Sequence, residues 1–309
     1  MGDEPWLWRD PQHHTALHQA ALVFDLDGVV VDVRATYRAA YRMGIRWHCR
    51  RDLGFELPAD PLFPIRAVHL LKRHSGFNAP ADVVAILLRL SLLRLRLGHP
   101  GRWVADWITA ALAAGDLADW RQTSMSIADR ATLDWLAHLE QPALALQWAR
   151  EAYVGADAMQ QVFGVAPRGR AAGLAQRDRL LLDPSRLQPP RPVAIYTGRT
   201  RAEAQWLGRR FALFRDLCHD AHEPRLEAVD TGAHKPDGAP LVRLARRLGA
   251  DTVLYIGDLA ADRDALLHAR QINPGRQWLL GQITARRQTL WPQASVASND
   301  INALLDALA

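Results

Sequence analysis

Four short apolar runs, each ending in a polar or glycine-containing turn, constrain the fold of this chain most strongly. Continuous apolar runs that alternate with helical patterns are typical of parallel strands covered on both faces. The four runs are Ala20–Phe24, Pro192–Tyr196, Thr252–Ile256 and Gln277–Leu280. The sequence therefore predicts an α/β fold built on a parallel sheet.

The stretch between the first two runs has a different character, because it shows helical periodicity and no evident strand. Five segments have this pattern: Ala35–Trp47, Ala81–Leu97, Arg102–Ala114, Ile127–His138 and Leu144–Phe163. We therefore predict an all-helical domain, residues 33–190, inserted into an α/β core made of residues 1–32 and 191–309. The proline-rich segment 183–192 would be the return linker.

Two acids directly follow the first apolar run, in the sequence Asp25-Leu26-Asp27-Gly28. On a continuing strand their side chains would point to opposite faces, but Gly28 permits a turn that brings both toward one site. Two neighbouring carboxyl groups can divide roles, one staying ionised and the other keeping a proton. Taken alone, the pattern is equally compatible with a simple acidic turn.

Two further positions are suited to an anionic ligand. Thr197 and Gly198 follow the second run and precede a helix that starts with a capping box, so a hydroxyl and backbone N–H groups could hold a phosphate oxygen there. Lys235, in a loop ahead of another helix, offers a compact positive charge. A plain turn and an exposed loop lysine are the alternative interpretations.

A second pair of acids, Asp258 and Asp262, follows the third apolar run. The spacing of four residues at the start of a helix puts both on one face. Carboxylate oxygens are the ligands that Mg²⁺ prefers, so the pair is a candidate metal site. Acids at a helix N-terminus also interact favourably with the helix dipole, which is the alternative interpretation.

These groups occur in the order of the four motifs of the haloacid-dehalogenase superfamily, which the chain resembles over its whole α/β core. The matching segments are Asp25-Leu26-Asp27-Gly28-Val29, Thr197-Gly198, Lys235-Pro236 and Gly257-Asp258 with Asp262. The resemblance implies a Rossmann-like core with an inserted helical C1 cap, as in subfamily I. It also implies a Mg²⁺-dependent phosphatase that acts on a small phosphorylated metabolite.

The resemblance assigns a role to each residue. Asp25 would attack phosphorus and form an aspartyl-phosphate, and Asp27 would protonate the leaving group and then activate water. The residues expected to bind the transferring phosphoryl group are Thr197, Gly198 and Lys235. The expected ligands of Mg²⁺ are Asp25, the backbone carbonyl of Asp27, Asp258 and, directly or through water, Asp262.

Two other functions stay open on the same motifs. Superfamily members that cleave carbon–halogen or carbon–phosphorus bonds lack aspartate at the position of Asp27, so phosphate ester or anhydride chemistry is favoured. A phosphomutase would keep the same residues. A catalytically idle module that senses a ligand usually loses one motif, whereas this chain retains all four.

The predicted cap contains one candidate specificity loop. Lys72 precedes a Gly76-Phe77-Asn78 turn between two helices, and we expect Lys72 and Asn78 to bind substrate. The segment resembles a poorly characterised branch of capped phosphatases, whose first cap helix also carries a Tyr-Arg pair, here Tyr37-Arg38. An ordinary helix C-terminus and turn is the alternative.

Composition argues against several other classes of protein. The formal net charge is +5 and nearly all cations are arginines spread over amphipathic segments, so no basic stripe for nucleic acid is evident. No apolar stretch is long and uncharged enough to span a membrane. The acidic N-terminus is not a signal peptide, and two distant cysteines, Cys49 and Cys218, suit a reducing compartment. We expect a cytoplasmic monomer or homodimer whose N-terminal segment, with His13, His14 and His18, is solvated.

Overall fold

The computed structural model describes residues 4–72, 74, 77, 79–187, 191–213, 226–228 and 234–309. The chain divides into two compact units, one comprising Met1–Arg34 and Asp178–Ala309 and the other Ala35–Arg177. Among the described residues, all strands lie in the first unit and the second is helical. The predicted insertion of a helical domain into an α/β core is therefore what the chain forms.

The first unit is built on its strands. In chain order these are β1 (Leu7–Arg9), β2 (Ala21–Phe24), β3 (Val31–Asp32), β4 (Arg179–Leu180), β5 (Val193–Tyr196), β6 (Leu226–Glu227), β7 (Thr252–Gly257), β8 (Gln277–Ile283) and β9 (Val296–Ser298). Seven of them form one sheet in the order β1-β9-β8-β7-β2-β5-β6, and β3 pairs with β4 separately. Every pair in the large sheet is parallel except β1–β9. The prediction of a Rossmann-like α/β core is confirmed.

The helices of the described chain fall into two groups. The first unit contains α1 (His14–Gln19), α10 (Arg201–Phe211), α11 (Ala239–Arg247), α12 (Ala260–Ile272) and α13 (Ile301–Asp306), and the second contains α2 (Arg34–Trp47, entered from the first unit), α3 (Ile65–Lys72), α4 (Pro80–Leu97), α5 (Arg102–Ala114), α6 (Trp120–Met125), α7 (Arg130–Leu139), α8 (Pro142–Val154) and α9 (Ala156–Phe163). None of these helices combines the length and the apolar character that a membrane crossing requires.

The strands of the sheet centre are buried along their whole length, which explains their continuous apolar sequence. All residues of β2 and β5 are buried, and β7 is buried after its first residue. Apolar residues of α11 and α12 pack against them in one cluster that includes Val23, Leu244 and Leu266. Burial on this scale supplies the main stabilising term of such a unit, at roughly 25 cal/mol per Å² of apolar surface.

The return from the helical unit comes earlier than the sequence indicates. Residues 178–187, predicted to belong to the insertion, lie in the first unit because β4 pairs with β3 and the Leu181 N–H donates to the Val30 carbonyl over 2.8 Å. The Asp183 N–H also donates to Oδ1 of Asn302 over 2.8 Å. A two-residue strand is too short to produce a periodic signal, so the sequence could not mark this boundary.

The expectation of a solvated N-terminal segment holds for exposed residues such as Glu4 and His14, but the segment is folded and part of it packs onto the sheet unit. β1 pairs with β9 as an antiparallel edge strand, and Leu17 of α1 is buried. Nδ1 of His18 lies 3.0 Å from the carbonyl oxygen of Leu308. An antiparallel strand of three residues again leaves too little pattern to predict.

The helical unit has its own core, and one predicted helix in it is interrupted. The segment predicted as Leu144–Phe163 is two helices, because Gly155 between them has φ +92°. The helix predicted over Ile127–His138 begins later, at Arg130. The Asp129 side chain caps it by accepting a hydrogen bond from the Thr132 N–H over 2.8 Å. A five-residue π-helix, His48–Asp52, follows α2.

Candidate active site

The sheet order brings the first and second pairs of acids together. β2 and β7 are parallel neighbours with Phe24 opposite Ile256, and the Asp25 N–H donates to the Ile256 carbonyl over 2.8 Å. Asp25 follows β2 and Asp258 follows β7, so both lie at the carboxyl edge of the sheet. This edge is where parallel α/β sheets place their ligands.

Two glycines make room for the acids. Gly28 has φ +83°, and a Cβ there would lie 2.3 Å from Oδ2 of Asp258. A Cβ on Gly257 would lie 2.3 Å from the Cβ of Asp262. The backbone turns after β2 and β7 therefore pack directly against the carboxylate side chains, which a larger residue would displace.

Three acids converge at this edge: one carboxylate oxygen from each of Asp25, Asp258 and Asp262 lies within 4.8 Å of the others. Burial is the main cause that raises the pKa of Asp25 to about 7; the charge of Lys235 opposes this shift, and the charges of Asp262 and Asp27 add to it. Burial, followed by the charges of Asp25 and Asp262, also raises the pKa of Asp258 well above its ordinary range. Ionising Asp25 and Asp258 together is therefore unfavourable at this buried edge unless a cation lies close to them.

A divalent cation fits this group. Within the described part of the chain, Oδ1 of Asp258 is buried and has no hydrogen-bond partner. Leaving a buried carboxylate oxygen unsatisfied is costly unless another group binds it. Hard oxygen donors of this kind are what Mg²⁺ selects, and bringing such a cation close to Asp25 and Asp258 would relieve their mutual repulsion.

Lys235 joins two of the acids. Its Nζ donates to Oδ1 of Asp25 over 2.5 Å and to Oδ1 of Asp262 over 2.6 Å, and all three side chains are almost fully buried. Burial by itself lowers the pKa of an ammonium group, but the charges of the two carboxylates outweigh it and raise the pKa of Lys235. The lysine is therefore a fixed positive charge on Asp25.

Asp262 differs from the other two acids because both of its oxygens already accept hydrogen bonds. Oδ1 accepts from Lys235 and from the Tyr255 hydroxyl over 2.6 Å. Oδ2 accepts from the backbone N–H groups of Asp258 and Leu259 over 3.2 and 3.0 Å. A carboxylate has about four lone-pair positions, so little capacity is left for a direct bond to a metal.

Asp27 differs from these three acids because its side chain is paired with an arginine. Nε of Arg199 donates to its Oδ1 and Oδ2 over 2.8 and 3.1 Å. Arg199 is buried and Asp27 is half-buried. We did not predict a role for Arg199, although its position directly after Thr197 and Gly198 at a helix start was a signal that could have indicated one.

Thr197 and Gly198 lie at the end of β5, the other neighbour of β2. The Thr197 N–H donates to the Glu227 carbonyl over 3.0 Å, and its buried Oγ1 accepts from the Arg199 N–H over 3.2 Å. No described atom lies within 4 Å of a Cβ built on Gly198. The capping box predicted at the start of the next helix, Thr200 with Glu203, is present.

The remaining predicted residues belong to the helical unit. Lys72 is the last residue of α3 and is half-buried. Asn78 lies outside the described residues, so its predicted role stays a prediction. Cys49 is buried, and burial raises the pKa of its thiol to about 12, which suits a packing residue rather than a nucleophile.

Comparison with known proteins gives one family. A family model described as haloacid dehalogenase-like hydrolase matches residues 19–270. Among solved structures, phosphatase Tt82 from Thermococcus thioreducens is similar with a TM-score of 0.56 and 17% identity, over 93% of this chain and 98% of that one. A candidate phosphoglycolate phosphatase from Lactobacillus plantarum is similar with a TM-score of 0.51 and 13% identity, over 94% and 98%. At these identities the likeness is one of fold. The search of curated proteins found no significant match.

Proposed function

The chain belongs to the haloacid dehalogenase-like hydrolases, and we propose that it is a Mg²⁺-dependent phosphatase that hydrolyses a small phosphorylated metabolite through an aspartyl-phosphate. The observation that carries the proposal is the position of Lys235. Its ammonium group lies 2.5 Å from Oδ1 of Asp25, at the edge of the sheet where Asp258 also lies. Phosphoryl transfer depends mainly on positioning and on neutralising oxygen charge, which is what a buried lysine on a carboxylate supplies.

In the first step, a carboxylate oxygen of Asp25 attacks phosphorus while the bond from phosphorus to the ester oxygen breaks. The leaving oxygen takes a proton from Asp27. Lys235 lets two anions, the carboxylate and the phosphate, approach each other. Thr197 and Gly198, at the end of the neighbouring strand, would bind phosphoryl oxygens through a hydroxyl and backbone N–H groups.

In the second step, water loses a proton to Asp27 and attacks phosphorus, and the bond to Asp25 breaks to release phosphate. This step needs Asp27 as a carboxylate. In the structure both carboxylate oxygens of Asp27 accept hydrogen bonds from Nε of Arg199. The first step needs the protonated form, so the proton that Asp27 gives to the leaving oxygen is replaced by the one that it takes from water.

The residues that would hold Mg²⁺ are Asp25, Asp258 and the backbone carbonyl of Asp27. Asp262 would act through water, because both of its oxygens accept hydrogen bonds from protein groups. When bound, the ion would neutralise phosphoryl oxygen charge and help align the phosphate with Asp25. For the leaving group we keep Lys72 and Asn78 of the helical unit as candidate contacts.

The test is release of phosphate from an aryl phosphate ester by the purified protein. We expect turnover that requires Mg²⁺ and is abolished by Asp25→Asn, with a broad panel of phosphorylated sugars, amino alcohols and nucleotides then ranking the substrates. Absence of turnover across the panel would contradict the proposal. Isomerised phosphosugar without free phosphate would instead identify a phosphomutase.

A further inference from the structure

Lys235 is held at the candidate site by more than its two salt bridges. Its Nζ lies 5.1 Å from the ring centroid of Tyr196 and 5.6 Å from that of Tyr255. Both tyrosines are strand residues and are fully buried. An ammonium group removed from water is stabilised by aromatic faces at this distance. The two rings flank the lysine in the same way, so the difference between the tyrosines lies in their hydroxyl groups.

The Tyr255 hydroxyl reaches the acidic cluster and the Tyr196 hydroxyl does not. Tyr255 donates to Oδ1 of Asp262 over 2.6 Å, and this oxygen also accepts from Nζ of Lys235 over 2.6 Å. Tyr196 donates to the backbone carbonyl of Asp237 over 2.8 Å. Burial, followed by the charges of nearby carboxylates, raises the pKa of Tyr255 well above its ordinary value. Its phenol therefore keeps the proton that it donates.

Asp262 is the acceptor that sets the direction of the lysine. A lysine side chain has a flexible four-carbon stem, and its ammonium group can rotate among acceptors. The backbone fixes Oδ2 of Asp262 through two N–H groups. Among the described residues, Oδ1 is bonded by Lys235 and Tyr255 only, so the tyrosine is the donor that keeps this oxygen in place when the lysine moves.

We propose that Tyr255 is a positioning residue for Lys235. Its hydroxyl fixes Oδ1 of Asp262, and Asp262 directs the ammonium group at Oδ1 of Asp25. The inference rests on the proposed function, in which Lys235 neutralises charge on Asp25 and the phosphoryl group. Without the hydroxyl, Lys235 is the remaining donor to Oδ1 of Asp262 among the described residues, so this oxygen directs the ammonium group at Asp25 less tightly. Tyr255 is completely buried in its strand, and among the described residues its hydroxyl reaches the site through Asp262.

The chain offers a matched pair of variants. Tyr255→Phe removes the hydroxyl on Asp262 and keeps the ring, whereas Tyr196→Phe removes a buried hydroxyl on the other side of the same lysine. Because hydrogen bonds to charged groups are among the strongest in proteins, we expect Tyr255→Phe to lower kcat for an aryl phosphate about tenfold to one hundredfold. We expect the KM of Tyr255→Phe to change less than about threefold. Tyr196→Phe should keep kcat within about threefold of the parent value.

A double-mutant cycle shows whether Tyr255 acts through Lys235. In a Lys235→Ala background, Tyr255→Phe should have no further effect on kcat or on the dissociation constant of orthovanadate, a phosphoryl mimic, measured by calorimetry. Full additivity of the two substitutions would overturn the proposal, and so would equal kcat values for the two phenylalanine variants. If the parent hydrolyses no ester, the proposed function fails, and the orthovanadate arm of the cycle still tests the coupling.

Discussion

Gly28 is the residue on which the geometry of the acidic cluster depends most closely. Its φ of +83° is a conformation in which L-residues with a side chain are strained, and a Cβ would meet Oδ2 of Asp258 at 2.3 Å. The strain alone costs about 1–2 kcal/mol. The contact with Asp258 adds a second effect, because it pushes a proposed metal ligand out of place.

We predict that Gly28→Ala lowers the affinity for Mg²⁺ by more than about tenfold, since it displaces one of two direct carboxylate ligands. The measurement is titration calorimetry with Mg²⁺ alone. Gly54→Ala is the control, because Gly54 has φ +71° and open space around a built Cβ. Gly54→Ala should lose about as much stability as Gly28→Ala but bind Mg²⁺ with the affinity of the parent protein. Equal affinity of both variants for Mg²⁺ would contradict the account.

The individual residues of the site were predictable to different degrees. Asp25, Asp258 and Lys235 carry charges at strand ends or in a loop, where sequence position alone suggests an exposed edge. Arg199 and Tyr255 could not be assigned in the same way. Tyr255 lies inside an apolar strand run, and the sequence does not tell which partner satisfies a buried hydroxyl.

At the scale of elements, the long and uniform segments were predicted well. β2, β5 and β7 are buried over nearly their whole length and are correspondingly apolar, and β8 is buried between an exposed Gln277 and a half-buried Ile283. The strands that were missed have two or three residues and depend on pairing with distant segments, as β1 does with β9. The break between α8 and α9 depends on the positive φ of Gly155, with φ +92° and ψ 156°, which a helical pattern of apolar residues does not reveal.

The connection after α9 is held by one buried side chain of α8. Glu151 accepts from the N–H groups of Arg168, Gly169 and Ala171 over 2.6, 2.9 and 3.2 Å and is fully buried. Removing this acceptor leaves three part-buried N–H groups without their partner, at up to about 1–3 kcal/mol each. The segment 168–171 therefore depends on this carboxylate for its conformation.

We predict that Glu151→Ala destabilises the helical unit by at least about 3 kcal/mol, because several donors lose their partner together. Denaturant unfolding measures the change. Gln147→Ala, one turn earlier on α8, is the control, because Gln147 bonds the Ala166 carbonyl over 2.9 Å at an exposed position. Gln147→Ala should lower the free energy of unfolding by no more than about 0.5 kcal/mol. Equal losses for the two variants would show that the buried acceptor is not what holds the segment.

At the scale of the whole molecule, the acidic cluster links stability to pH and to metal. The folded-state pKa of Asp25, about 7, lies above the ordinary value of 3.8, and the pKa of Asp258 is raised as well. For such groups the contribution to stability is full below the unfolded-state pKa and is lost as pH rises through the folded-state pKa. The metal-free protein should therefore lose stability toward about pH 8 from this source.

Mg²⁺ and protons compete for the same oxygens, so metal binding releases protons and strengthens as pH rises. We predict that the gain in Tm on adding Mg²⁺ is larger at about pH 8 than at about pH 6, with a ligand at one hundred times its Kd contributing about 2.7 kcal/mol. The Tm of the protein without divalent metal, measured at each pH, provides the baseline. A gain in Tm that does not change between the two pH values would contradict the proposed charge state of the cluster.

The central claim is that Asp25 is the nucleophile, and it is tested most directly by acid-quenching the protein during turnover of an aryl phosphate with Mg²⁺ and mapping its peptides by mass spectrometry. The account predicts one added phosphoryl group on Asp25 in the parent protein and none in Asp25→Asn, which should also release no phosphate. Turnover without phosphorylated Asp25, together with phosphate release by Asp25→Asn, would contradict it.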